Sequence, residues 1–244
     1  MVLVSEVMAQ QTQISRVVPA FEAFLKRFPQ PEDLAAADLG ELLSMWGGLG
    51  YQRRAIRLRE AALVVVSTGW PRTSAGLRDL PGVGPYTAAA VACFAFGEAV
   101  PAVDTNLRRV LSRWTGEPLQ ARRLDEIAAE LLDRGRPATW NQAIMDLGAT
   151  VCTPRSPDCP ACPVSEWCSD PGVYVAPPRQ SRYEGSVRQA RARILKTLAG
   201  HGPLEVAVLA ELVDGDADRF DQALAALMGE SIVIEVGDRI GLAS

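Results

Sequence analysis

Lysine is nearly missing from this chain: only two of its 25 basic residues are lysine, and it has a single histidine. Chemistry that needs a neutral amine or an imidazole base therefore has few places to sit, because arginine stays protonated and is no nucleophile. No apolar run approaches the roughly 20 residues a membrane helix requires, and the opening segment lacks the basic start of a secretory leader. No membrane association is expected, and a cytoplasmic location is. Alternating β-branched residues are almost absent from the first 150 positions, which argues against an extensive sheet there. Five cysteines in a reducing compartment read as ligands or buried thiols rather than disulfide halves. At 244 residues and 48% apolar content the chain can bury a sizeable core without such staples.

The formal charge of −4 would argue against a polyanionic partner, yet it is unevenly placed. Residues 202–244 hold nine acidic and two basic side chains, so the preceding part is net positive. Arg53, Arg54, Arg57 and Arg59 form one basic group there, and Arg108, Arg109 and Arg113 another. Both suit phosphate contacts, although a charge run alone is more often a solvated helix face.

Apolar residues recur at helical spacing and predict helices over 4–14, 16–28, 38–46, 52–67, 85–97, 104–115, 122–134 and 139–150. Glycine and proline clusters separate them. A proline-containing stretch over 174–185 reads as a linker. Beyond it, helical patterns at 186–200, 204–213 and 216–229 precede an alternating segment, a Gly-Asp turn and a second short strand. The expectation is an all-α domain over 1–173 and a small winged-helix-like domain over 186–244.

Two motifs carry chemistry. Cys152, Cys159, Cys162 and Cys168 follow the spacing C-x6-C-x2-C-x5-C, and four thiolates in so short a loop satisfy either a [4Fe–4S] cluster or zinc. Cys93, inside the apolar run from Ala89 to Phe94, is expected in the core instead. The segment Leu80-Pro81-Gly82-Val83-Gly84-Pro85-Tyr86-Thr87 breaks one helix and starts another, with proline near its first position. Backbone N–H groups at such a helix start can bind a phosphate oxygen. Some twenty residues later comes Val103-Asp104-Thr105-Asn106-Leu107-Arg108-Arg109-Val110.

Hairpin, aspartate-led helix and cysteine loop in this order resemble the helix-hairpin-helix DNA glycosylase superfamily, over about residues 3–170. Within it, Leu3-Val4-Ser5-Glu6-Val7-Met8-Ala9-Gln10-Gln11-Thr12-Gln13 and Asn141-Gln142-Ala143-Ile144-Met145-Asp146-Leu147-Gly148-Ala149 are similar to segments of the MutY-type adenine glycosylases. The endonuclease III branch carries lysine where this chain has Tyr86. A thymine-mismatch branch has tyrosine there but usually lacks the Gln10-Gln11 pair.

The resemblance implies that Cys152, Cys159, Cys162 and Cys168 hold a [4Fe–4S] cluster rather than zinc. It implies that Glu6 is the general acid and base that protonates adenine, whose departure as an anion is poor. It makes Asp104 the stabiliser of the positive sugar, Asn106 a positioner of sugar or water, and Tyr86 a pocket wall. Gln11 and Tyr51 would enter the stack beside a flipped base, while Gly82, Val83, Gly84 and Arg108 contact the DNA backbone. Plainer readings stand beside these: an exposed helix glutamate, a helix N-cap, a core tyrosine, two surface residues at helix ends.

The implied partner is double-stranded DNA with a mismatched or oxidised base pair, bound by a monomer that releases adenine opposite 8-oxoguanine or guanine. A thymine or uracil mismatch glycosylase and a catalytically silent damage-binding module are the alternatives. With lysine confined to Lys26 and Lys196, a Schiff-base lyase step is not expected. Glu6 stands close to the start of the chain for this family. Residues 186–244 are too short and wrongly patterned for the family's Nudix-like domain, and their acidity suggests a docking role. Removing 183–244 is expected to spare base excision.

Overall fold

Helix accounts for nearly all of the regular structure in the computed structural model, which describes residues 1–173 and 182–243. The expected linker therefore lies largely outside the described residues. The chain divides into two compact units. One joins α1 (Val2–Ala9), α2 (Ile14–Arg27), α3 (Pro31–Ala35), α4 (Leu39–Trp46) and α5 (Arg53–Thr68) to the C-terminal elements: α11 (Val187–His201), α12 (Val206–Val213), α13 (Ala217–Gly229) and the strands β1 (Val233–Val236) and β2 (Arg239–Leu242). The other holds α6 (Ser74–Leu77), α7 (Pro85–Phe96), α8 (Thr105–Thr115), α9 (Ala121–Leu131), α10 (Pro137–Thr150) and the cysteine loop.

The long helices fall where their periodicity places them. Periodicity misses α3 and α6, each about one turn long and set by its cap rather than by an apolar stripe. Asp33 Oδ2 accepts from the Gln30 N–H at 2.9 Å with Pro31 as the first helical residue, and Thr73 Oγ1 accepts from the Gly76 N–H at 3.2 Å. The helix expected over 4–14 ends at Ala9, because Gln11 takes a left-handed conformation at φ 53°.

In the first unit, Phe24 packs edge-on against Phe28 and Trp46, with ring centroids 5.0 and 6.1 Å apart. Small residues on one face of α5, Ala55, Ala61 and Ala62, let α3 approach closely. The C-terminal elements match the expected three helices and hairpin, with β1 and β2 antiparallel in the register Val233↔Leu242 to Val236↔Arg239. They do not form a unit of their own, which differs from the expected boundary. α11 packs against α4 as well as α13, and its Ile194, Leu195 and Leu198 are all buried.

In the second unit, α7 is buried nearly all round through Thr87, Ala88, Ala89, Ala90, Val91, Ala92 and Cys93, as expected for a helix with no polar face. Cys93 is thus a core residue, and burial pushes its thiol pKa up. α8 is pinned to α9 and α10 by Leu107, Val110 and Leu111, all fully buried. Each such side chain contributes about 1.5–3 kcal/mol relative to exposure, so the start of α8 is a fixed platform. Among the described residues no helix is long and apolar enough to cross a membrane.

Candidate active site and cluster loop

Asp104 caps α8, its Oδ1 accepting from the Leu107 N–H at 2.6 Å. Its Oδ2 accepts from Asn106 Nδ2 at 3.0 Å. Burial raises the Asp104 pKa above its usual value, opposed by these hydrogen bonds and by Arg109 nearby. The plain N-cap reading is therefore correct, and it orients a partly desolvated carboxylate. Asn106 Oδ1 accepts in turn from Arg109 Nη2 at 2.8 Å. α10 presses on this pair at Gly148, where a Cβ would lie 2.6 Å from the Asn106 Cβ. Only glycine fits there.

Sequence reasoning missed the side chain that sets the approach to Asp104. Asn141 is fully buried: its Oδ1 accepts from the Ala102 N–H at 2.7 Å, while its Nδ2 donates to Val100 and Pro137 carbonyls at 3.0 Å. One amide thus ties α10 to the segment leading into α8. Tyr86, half-buried near the start of α7, packs on the same segment through the cluster of Ala89, Ala90 and Ala102. In the turn before it, Gly82 has φ 76°, a conformation that favours glycine, and Val83 is buried. Gly84 caps α7 with Pro85 at the first position, and nothing lies within 4 Å of a Cβ placed there.

All four predicted cysteine ligands line one cavity of about 100 Å³, together with Arg113, Trp114, Leu147 and Val151. Among the described residues, no three His, Cys, Asp or Glu side chains converge on one ion-sized point. Four thiols around a shared cavity fit a polyatomic group better than a single zinc. The loop is held from beneath by α8. Arg113, 2% exposed, donates to the Cys152 Sγ at 3.1 Å and to the carbonyls of Val173, Thr153 and Pro154 at 3.0, 2.9 and 3.2 Å. Arg109 donates to the carbonyls of Cys152 and Gly148 at 2.8 and 2.6 Å. Burial, then the neighbouring cysteines, raises the Cys168 thiol pKa. A positively charged inorganic centre would relieve that pressure.

Glu6, Gln11 and Tyr51 belong to the first unit. Glu6 is half-buried on α1 beside buried Leu3, Val7 and Met8. Gln11 and Tyr51 are both exposed and both left-handed, at φ 53° and 49°. Non-glycine residues held this way cost on the order of 1–3 kcal/mol each and persist only where their surroundings enforce it. Beside the first of these turns lies Arg54, whose Nη1 donates to the carbonyls of Val7, Met8 and Gln10 at 2.7, 3.2 and 2.6 Å. Burial lowers its pKa to about 10, which leaves it charged at neutral pH. Tyr51 also accepts at its hydroxyl from Arg188 Nη1 of α11 at 2.9 Å.

The two basic groups are thus only partly committed inside the protein. Arg54, Arg109 and Arg113 organise backbone carbonyls, Arg57 pairs with Glu60 at 2.7 Å, and Arg53 lies 3.7 Å from Glu230. Arg108 is half-buried on α8. Arg54, Arg109 and Arg113 turn inward because a guanidinium has enough donors to satisfy several carbonyls at once, and buried carbonyls need them.

Comparison with known proteins agrees with this arrangement. Residues 4–146 match the profile of the HhH-GPD superfamily of base excision DNA repair proteins, and residues 152–168 match the iron–sulfur binding domain of endonuclease III. The chain is 44% identical over 249 residues to an adenine DNA glycosylase of Mycolicibacterium smegmatis, spanning 97% of this chain and 85% of that protein. Among solved structures, a thermostable thymine-DNA glycosylase superposes with a TM-score of 0.66 at 33% identity, covering 69% of this chain and 82% of the other. A non-covalent endonuclease III–DNA complex gives 0.63 at 25% identity, covering 70% and 82%. The cofactor is a [4Fe–4S] cluster, which the cavity and its four thiols fit.

Proposed function

The chain belongs to the HhH-GPD superfamily of base excision DNA repair proteins, and from that premise we propose that it is a monofunctional adenine DNA glycosylase acting on duplex DNA with adenine opposite 8-oxoguanine or guanine. The observation that carries the chemistry is Asp104: a partly desolvated carboxylate, oriented by Leu107 and Asn106 at the head of a pinned helix. Such a group stabilises positive charge far better than a solvated one. Tyr86, packed on the same segment, contributes a wall and no amine. The similarity to an adenine DNA glycosylase over most of both chains supports adenine as the base released.

In this reading the target adenosine is flipped out of the duplex. The Glu6 carboxyl gives its proton to a ring nitrogen of adenine, and the glycosidic bond breaks with its electron pair leaving on the base. Asp104 holds the positive sugar, and Asn106 orients a water. Glu6, now a carboxylate, takes a proton from that water as its oxygen bonds to the sugar carbon, so that free adenine and an intact abasic strand result. Gly82, Val83, Gly84 and Arg108 bind the backbone beside the flipped nucleotide, and Gln11 and Tyr51 fill the gap in the stack. Cys152, Cys159, Cys162 and Cys168 ligate the cluster, which cross-links the loop after α10. The C-terminal helices and hairpin are taken as a winged-helix-like element whose acidity suits a docking role.

Duplexes carrying A, T or U opposite guanine or 8-oxoguanine, treated with alkali after incubation, test the assignment. Adenine release with no strand break before alkali is expected. Release of thymine or uracil alone would favour the mismatch alternative, and no release at all the silent one. Neither Lys26 nor Lys196 should be trapped on DNA by borohydride, and strong trapping would overturn the monofunctional assignment.

A further inference from the structure

Gln11 and Tyr51 stand 40 positions apart in the sequence, yet one side chain holds both turns. Arg54 Nη1 donates to the Gln10 carbonyl, directly before Gln11, and to two carbonyls at the end of α1. Its Nη2 donates at 3.1 Å to the Gly50 carbonyl, directly before Tyr51, and at the same distance to the Leu49 carbonyl and to Thr12 Oγ1. Thr12 Oγ1 also donates to the Leu49 carbonyl at 3.2 Å and so stitches the two turns together. The guanidinium carbon sits 5.4 and 5.5 Å from the ring centroids of Trp46 and Tyr51. In each turn the peptide whose carbonyl Arg54 holds is the one that sets the following residue's backbone rotation.

We propose that Arg54 is the positioning residue of the inserting pair: its guanidinium fixes the Gln11 and Tyr51 turns as one body, so that both side chains meet the duplex already ordered. The inference rests on the reading of Gln11 and Tyr51 as the residues that enter the base stack. Ordering them before contact removes an entropy cost that would otherwise fall at the moment of insertion. The planar fork is essential, since its two terminal nitrogens serve different turns. A lysine would present all its donors from a single point and could not span them.

The test uses the full-length, cluster-loaded protein and a duplex with 2-aminopurine next to adenine opposite guanine, whose fluorescence rises on unstacking. Arg54→Lys should lower both the fluorescence change and the single-turnover rate by about tenfold, to the level of the Gln11→Ala/Tyr51→Ala double variant. Added to that double variant, it should cost less than about twofold more, as for residues in one network. Guanidinium ion should partly restore Arg54→Ala. Thr12→Val, a smaller change, should shift the fluorescence in the same direction even if the arginine variants fold poorly. If the double variant unstacks DNA normally, the insertion reading fails. If the double variant is impaired but Arg54→Lys and Thr12→Val are not, or if the losses multiply, the Arg54 inference alone is overturned.

Discussion

Replacing Asp104 by asparagine and by alanine separates its chemical role from its structural one. Both variants remove the negative charge, and with it the stabilisation of a positive sugar; losing one preorganised electrostatic contact of this kind costs about 10²–10³ in rate. Their effects on the fold differ. Alanine leaves the Leu107 N–H without its 2.6 Å partner, a lost cap of about 0.5–2 kcal/mol. For a chain of this size that lowers the melting temperature by about 2–4 °C per kcal/mol. Asparagine keeps an acceptor for Leu107 and loses only the bond from Asn106, about 1 kcal/mol, while removing a carboxylate that is disfavoured by burial. The two changes oppose each other, so Asp104→Asn should melt close to the wild type.

The pH dependence has a defined sign. Because the folded pKa of Asp104 lies above its unfolded value of 3.8, its protonated form favours folding, and that contribution is lost as pH rises through the folded pKa. The stability of Asp104→Asn relative to the wild type should therefore grow over that window and level off above it. Single-turnover base release and thermal melting, measured on the same preparations, check both halves. Asparagine destabilising as much as alanine, or Asp104→Asn releasing adenine within tenfold of the wild-type rate, would refute this division of roles.

Gly148→Ala puts a methyl 2.6 Å from the Asn106 Cβ and 3.3 Å from its Cα; overpacking of about 1–3 kcal/mol is expected, and base release should fall further than thermal melting alone explains. Arg113→Met removes the donors that hold Cys152, Thr153, Pro154 and Val173. The purified variant should carry less iron and less visible absorbance than the brown wild type, whereas full iron content with unchanged melting would show the loop to be self-supporting. Removing 183–244, expected from sequence to spare base excision, should instead expose the α4 face against α11 and release Arg53 and Tyr51 from Glu230 and Arg188. A truncated protein that melts and excises adenine like the full chain would show that this packing contributes little.

The sequence by itself determined whatever depends on neighbours a few residues away. Helical periodicity marked the long helices, Gly82 and Pro85 marked the hairpin, Asp104 marked the start of α8, and the cysteine spacing marked the cofactor loop, because turns, caps and short ligand loops close within one segment. The fate of the arginines was a different matter. Arg54, Arg57, Arg109 and Arg113 look alike in a helical pattern, and sequence left phosphate contact or a solvated helix face open for all of them. Only the fold showed that Arg54 meets carbonyls from Val7 and Leu49, and that Arg113 meets those of Thr153 and Val173. The same holds for Asn141, whose amide finds Val100 and Ala102, and for α11, whose apolar face is shared with α4. A guanidinium or amide turns inward when distant chain brings unpaired carbonyls within reach, and which carbonyls arrive is decided by tertiary packing rather than by local pattern.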